Sequence, residues 1–157
     1  MPSFKRISSR SPLTFRYLRY RLSSGRIILL PLIHVELESE TERLTTIGLL
    51  DSGATLTFIP FEIADILGVI PDKPKFQNVT TAGGIVPFFK VRIKRLSLLS
   101  GGKIFSDFRN LMVLVPSRER DLPYVILGRD TVFKRFHTTF KENIKKFVIK
   151  HHKSVRK

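Results

Sequence analysis

The strongest constraint on the fold is a carboxylate placed where an apolar run ends. Asp51 follows the largely apolar stretch 44–50 and is followed at once by Ser52 and Gly53. An ionised carboxylate beside apolar surface is costly unless hydrogen bonds or a shared proton compensate. Because Gly53 can take a positive φ, the loop can fold back and aim its amide groups at Asp51. The pattern predicts a strand that delivers an oriented carboxylate, although Asp-Ser-Gly also occurs in ordinary turns.

Two further segments point to close contacts with this loop. Residues 124–130 predict an apolar strand that ends at Gly128, where the missing side chain lets another backbone segment approach. Asp130 then stands where a helix cap is expected. Between the two motifs, residues 80–85 contain Gly83 and Gly84 and predict the flexible tip of a hairpin.

The three motifs in this order resemble the retropepsin-like (retroviral-type) aspartic peptidases, over roughly residues 26 to 150. The resemblance implies an aspartic endopeptidase that acts on peptides or proteins, with a flap that closes over the substrate. The implied catalytic residues are Asp51, Ser52 and Gly53, with Ser52 bracing two catalytic loops across a dimer axis. The implied flap and site wall are Ala54, Thr81, Ala82, Gly83 and Gly84. The implied structural support comes from Gly128, Arg129 and Asp130.

Peptide hydrolysis by this chemistry needs two carboxylates that face one water. The chain supplies one candidate, because no other aspartate is followed by Ser or Thr and then Gly. We therefore expect the site to form across a twofold homodimer, with Asp51 of each subunit contributing and one proton shared between them.

One position departs from the family pattern. Retroviral enzymes usually carry a second aspartate four residues beyond the catalytic one, where this chain has Thr55. The departure leaves the partner of Arg129 open. Asp130, a group at the subunit interface and a purely structural ion pair are the alternatives.

The hydrophobic pattern mostly has a period of two, which predicts an all-β fold. We expect a retropepsin-like closed β-barrel with one or two short helices, assembled as a twofold homodimer. The expected elements are a strand over 14–22 with a turn at 23–25, a strand over 33–38 with one wet face, a strand over 56–59, a helix over 60–68, a hairpin turn at 100–103 and a last hairpin that ends at 147–149.

The charge divides the chain into three parts. Lysines and arginines exceed acidic residues by 28 − 13 = +15, and residues 1–26 hold seven basic and no acidic side chains. We expect a basic N-terminal segment over 1–25 that is partly a strand of the fold, a peptidase domain over 26–150 and a basic tail over 151–157. The first dozen residues also have the composition of an organellar transit peptide.

Composition limits the alternatives. The chain has no cysteine, which excludes disulfides and thiolate nucleophiles, and its four histidines lack metal-ligand spacing. We expect no metal, no cofactor, no membrane span and a cytoplasmic location. Two other functions stay open: a non-hydrolytic peptide-binding or dimerisation module on the same fold, and a nucleic-acid partner held through the basic ends.

Overall fold

The computed structural model describes residues 4–7, 11–120 and 122–152. Within these residues the fold is mostly β, with short helical segments at Phe61–Ile66 (α1), Arg129–Phe133 (a π-helix), Arg118–Arg120 and Glu142–Ile144. The described strands are β1 (Leu13–Arg16), β2 (Leu18–Arg21), β3 (Ile27–Leu30), β4 (Leu32–Glu38), β5 (Arg43–Leu50), β6 (Gln77–Thr81), β7 (Gly84–Ser100), β8 (Lys103–Pro116), β9 (Val125–Leu127), β10 (Phe136–Lys141) and β11 (Lys146–His151). No described helix is long and apolar enough to cross a bilayer.

The largest sheet positions the end of β5. Its strand order is β6-β7-β4-β5-β9, with β8 paired to β7. β5 and β9 run parallel, and Leu50 lies opposite Leu127. Because the two strands end at the same edge of the sheet, the residues that follow them, Asp51 and Gly128, are brought together.

Glycine turns form the hairpins where the sequence predicts them. Gly101 and Gly102 have φ of 54° and 69° and join the long strands β7 and β8. Gly25, with φ of 83°, joins β2 to β3. Other residues are strained at such angles, so these turns are fixed locally by the glycines. The helix expected over 60–68 is also confirmed, as α1.

The single strand expected over 14–22 is wrong, because the chain changes sheets at Tyr17. β1 pairs with β11 at the end of the chain, whereas β2 pairs with β3. Tyr17 is buried between them, and its hydroxyl donates to Glu142 Oε2 at 2.9 Å. Burial, with Glu142 adding to it, raises the pKa of Tyr17 to about 12. The boundary expected after residue 25 falls in the turn between β2 and β3.

The expectation that the polar residues of β4 face solvent is also wrong for two of the three. Glu36 and Glu38 are 2% and 9% exposed, and only His34 faces solvent. Arg95 on β7 explains the burial, since its guanidinium lies 2.5 Å from Glu38 and 3.5 Å from Glu36. Buried carboxylates are tolerated when cations neutralise them.

The expected closed barrel is not found among the described residues, whose strands form three separate sheets. One cluster of buried apolar side chains includes residues of both the large sheet and the sheet β1-β11-β10, such as Val35, Phe89 and Phe147. In place of the strand expected over 56–59, the structure has isolated bridges from Phe58 to Leu114 and Ile126. Within the described residues the core therefore lies between packed sheets, and their strand pairs form no continuous ring.

Candidate active site

Asp51 is held in one orientation by its own loop. Its backbone N–H donates to the Leu127 carbonyl at 3.1 Å, which ties the loop to the end of β9. The Gly53 N–H donates to Asp51 Oδ1 at 2.8 Å. Asp51 is half-buried, whereas Ser52 and Gly53 are exposed. The loop thus presents a carboxylate that has one oxygen fixed by a backbone amide.

Gly128 lets a second loop lie directly against the first. A Cβ at this position would stand 2.4 Å from the Leu56 carbonyl oxygen and 3.0 Å from that of Ala54. The next two residues continue the contact, since Arg129 N donates to Ala54 O at 2.8 Å and Asp130 N donates to Thr55 O at 3.2 Å. A side chain at 128 would force the two backbones apart.

Asp130 does not cap the helix, so that expectation is wrong. Its carboxylate accepts from the Thr57 hydroxyl at 2.8 Å and from the Thr57 backbone N–H at 3.2 Å. The Thr57 hydroxyl is fully buried and in turn accepts from Gly128 N at 3.2 Å. Sequence reasoning missed Thr57, although a lone polar residue within the largely apolar stretch 56–59 was a usable signal.

Arg129 has a partner in its own chain. Its Nη2 donates to Thr55 Oγ1 at 2.9 Å. Thr55 is the residue that stands where retroviral enzymes usually carry the second aspartate. Arg129 therefore bonds to a neutral hydroxyl in place of a carboxylate. This hydrogen bond links the loop after Asp51 to the segment after Gly128 through side chains.

The hairpin of Thr81 to Gly84 is a two-residue turn through Ala82 and Gly83. The Thr81 hydroxyl closes it, accepting from Gly83 N at 3.2 Å and donating to the Gly84 carbonyl at 2.8 Å. Gly84 has φ of 108°, an angle that favours glycine. Apart from half-buried Thr81, the tip is exposed to solvent.

A cavity of about 500 Å³ separates the Asp51 loop from this hairpin. Its lining includes Asp51, Gly53 and Ala54 from the loop and Thr81 and Ala82 from the hairpin. Apolar side chains complete the wall, including Phe58, Phe88, Leu114 and Ile126. Of the other site residues expected from the sequence, Ser52, Gly83 and Gly84 adjoin the lining in the chain, and Gly128, Arg129 and Asp130 support it from behind.

Tyr124 is a neighbour of Asp51 that sequence reasoning did not single out. Burial raises the pKa of the Tyr124 hydroxyl, and the nearby Tyr20 and Asp51 raise it further. The Tyr20 and Tyr124 rings meet edge to face with centroids 5.2 Å apart. The hairpin β2–β3 is thereby packed beside the candidate site.

The described residues contain no cluster of three or more potential metal ligands. His137 and His152 do lie together, with Nε2 and Nδ1 at 2.8 Å. Their separation of 15 residues in the chain did not single them out in the sequence.

Comparison with known proteins places the chain in a family. A family model described as aspartyl protease matches residues 39–131, more than half of the chain. The chain therefore belongs to the aspartyl protease family. Among solved structures, a retropepsin-like aspartic protease from Rickettsia conorii is similar, with a TM-score of 0.53 and 17% identity over 91% of this chain and 96% of that chain. At this identity the likeness shows a shared fold. No curated protein matches the chain.

Proposed function

We propose that the protein is an aspartic endopeptidase in which Asp51 from each of two subunits activates one water. The observation that carries the proposal is the position of Asp51. Its carboxylate is held by the Gly53 amide and lines a cavity that is also lined by a glycine-containing hairpin. An oriented carboxylate beside an apolar cleft suits general acid–base attack on a bound peptide.

The dimer follows from the chemistry. One carboxylate takes the proton of the water while the other protonates the substrate carbonyl oxygen. At about 3 Å and an effective dielectric near 20, two ionised carboxylates repel by roughly 5 kcal/mol, so the pair keeps one proton. Because one chain carries one Asp-Ser-Gly, the second carboxylate comes from a second copy.

The other residues then have supporting roles. Exposed Ser52 braces the two catalytic loops across the dimer axis, and Thr81 to Gly84 form the flap. The peptide binds as an added strand, with its side chains received by the apolar wall of the cavity. Gly128, Arg129 and Asp130 hold the Asp51 loop through their contacts with residues 54–57. We place this activity in the cytoplasm, the location expected for a chain without cysteine.

The direct test compares Asp51→Asn with Asp72→Asn. Asparagine keeps the size of the carboxyl group but cannot act as a base, so kcat/KM should fall by about 10²- to 10⁴-fold or more. Asp72 is an exposed loop residue, and its variant should keep wild-type activity. Both variants should unfold at the wild-type temperature. Full activity of Asp51→Asn would refute the assignment, and tight peptide binding without cleavage by the wild type would favour a binding module.

A further inference from the structure

The outer face of the sheet β1-β11-β10 carries an unusual arrangement of cations. Alternate residues of the three strands point away from the core, whose side contains Phe15, Phe147 and Ile149. Strand pairing then sets the outward residues in rows across the sheet. We call these residues the basic terminal face: Thr14, Arg16, His137, Thr139, Lys141, Lys146, Val148 and Lys150.

The rows bring like charges together. Arg16 and Lys141 both lie directly opposite Lys146. Like charges directly opposite one another destabilise a sheet. Within the described part of the chain, no ion pair joins any of these lysines or Arg16 to an acid. An outside anion bound to this face would relieve the repulsion.

The nearest acid along the chain is engaged elsewhere. Glu142 follows Lys141, but its carboxylate pairs with Lys145 and accepts from the Tyr17 hydroxyl. Some cations of the protein do pair with acids, as Arg95 does with Glu36 and Glu38. Cations elsewhere in the described residues, such as Lys90, also lack an ion pair, so what distinguishes this face is that unpaired cations lie directly opposite one another.

The shape of the face narrows the choice of anion. Lys146 and Lys150 are four residues apart on β11, so Lys150 lies about 14 Å from the row of Arg16, Lys146 and Lys141. Between them lie the short side chains of Thr14, Val148 and Thr139. A chain-like polyanion fits along this middle row, with cations on both sides and two hydroxyls that can donate to phosphate oxygens.

Two other occupants fit less well. In a twofold dimer through this face, the same surface of two copies would meet. Cations would then lie against cations, which is unfavourable. A membrane surface favours exposed apolar groups that insert, whereas Val148, the one apolar residue of the face, is half-buried.

We propose that the basic terminal face binds single-stranded nucleic acid through its phosphates. The site spans about 10 Å across three strands, which limits it to a few phosphates. The basic residues Lys153, Arg156 and Lys157 continue the chain beyond Lys150 and add charge at the same end of the sequence. This inference is independent of the proposed peptidase activity, because none of its residues lines the Asp51 cavity.

The test measures fluorescence anisotropy of labelled oligo(dT), which cannot pair with itself, over a series of salt concentrations. The double variant Lys141→Gln/Lys146→Gln is compared with Lys73→Gln/Lys75→Gln, which removes the same charge from an exposed loop. The logarithm of affinity should fall with the logarithm of salt, and the face variant should reduce that slope by about 1.4, or roughly 0.7 for each lost phosphate contact. The loop variant should keep the wild-type slope.

Three outcomes would overturn the proposal. One is no binding by the wild type at low salt, and a second is an equal loss in both double variants, which would mean attraction by net charge alone. The third is binding to phosphatidylserine vesicles that only the face variant loses, while both variants bind oligo(dT) alike.

Folding is checked by thermal unfolding, where removing like-charge neighbours should leave the midpoint unchanged or raise it. The single variant Lys150→Gln removes one charge from the face, and its salt dependence of oligo(dT) binding is compared with that of the wild type in the same way.

Discussion

At the scale of single residues, the site depends on close backbone contact at Gly128. Gly128→Ala places a methyl group 2.4 Å from the Leu56 carbonyl oxygen, and backbone cannot give way as a flexible side chain can. We expect the free energy of unfolding to fall by about 1 to 3 kcal/mol, as in overpacked cores, with loss of peptidase activity. Gly83→Ala is the matched control, because its methyl group meets nothing nearer than 3.8 Å. Chemical unfolding of both variants tests this, and wild-type stability in Gly128→Ala would contradict it.

Glu38 gives a prediction about pH. Burial alone would raise the pKa of its carboxyl, but a hydrogen bond from Lys94 and the charges of Arg95 and Arg43 lower it overall. A carboxyl whose pKa is lowered by folding adds stability above its unfolded pKa, and this stability is lost as the pH falls through the folded pKa. Glu38→Gln should therefore destabilise by about 1 to 3 kcal/mol at neutral pH and by much less in acid. Chemical unfolding of Glu38→Gln and wild type at neutral and at acidic pH tests this. An equal loss of unfolding free energy at both pH values would contradict the prediction.

Sequence reasoning at this scale succeeded where the cause is local. The Gly53 amide lies two residues from Asp51 in the chain, so its contact with the carboxylate could be expected, although Gly53 makes the contact without the positive φ that was expected for it. The partners of Asp130 and Arg129 could not, because Thr57 and Thr55 are 73 and 74 residues away. A carboxylate at the start of a helix can accept a hydrogen bond either from the first backbone amides of the helix or from a distant hydroxyl. The sequence does not distinguish the two, because the choice depends on the tertiary contact.

At the scale of elements, the flap hairpin can be tested apart from the core. Gly83 has no positive φ and its Cβ direction is open, so Gly83→Val fits the folded backbone. A β-branched side chain nevertheless stiffens the tip. We expect kcat/KM to fall several-fold while stability stays within about 0.5 kcal/mol. Amide exchange provides an independent check, since protection of residues 81–85 equal to that of the core strands would contradict a mobile flap.

Elements defined by glycine turns were predictable, whereas elements defined by distant partners were not. The turn at Gly101 and Gly102 marks the β7–β8 hairpin by itself. The alternation over 14–22 continues through Tyr17 without a break, and the division there depends on β11 and on the contact with Glu142. The same limit applies to β4, whose second face is covered by Arg95, 59 residues from Glu36 in the chain.

At the scale of the whole molecule, the period of two predicted the mostly β class, and the order of the three motifs gave the family resemblance. The many short strands and few helices also predicted a closed barrel, which the described strands do not form. Closure depends on hydrogen bonds between strands at opposite ends of a sheet, and a period of two in the sequence carries no information about such pairs. The assembly of two subunits is likewise inferred from the chemistry of Asp51.

The central claim is that two copies of Asp51 make one site, and a mixing experiment tests it most directly. Wild-type protein is held at a fixed concentration while folded Asp51→Asn protein is added and the subunits are allowed to exchange. Mixed dimers carry one carboxylate, so activity should fall to about one half at equal amounts and to about one tenth at a ninefold excess. Added Asp72→Asn protein should raise activity instead. Peptidase activity that does not change with added Asp51→Asn protein would contradict the shared site.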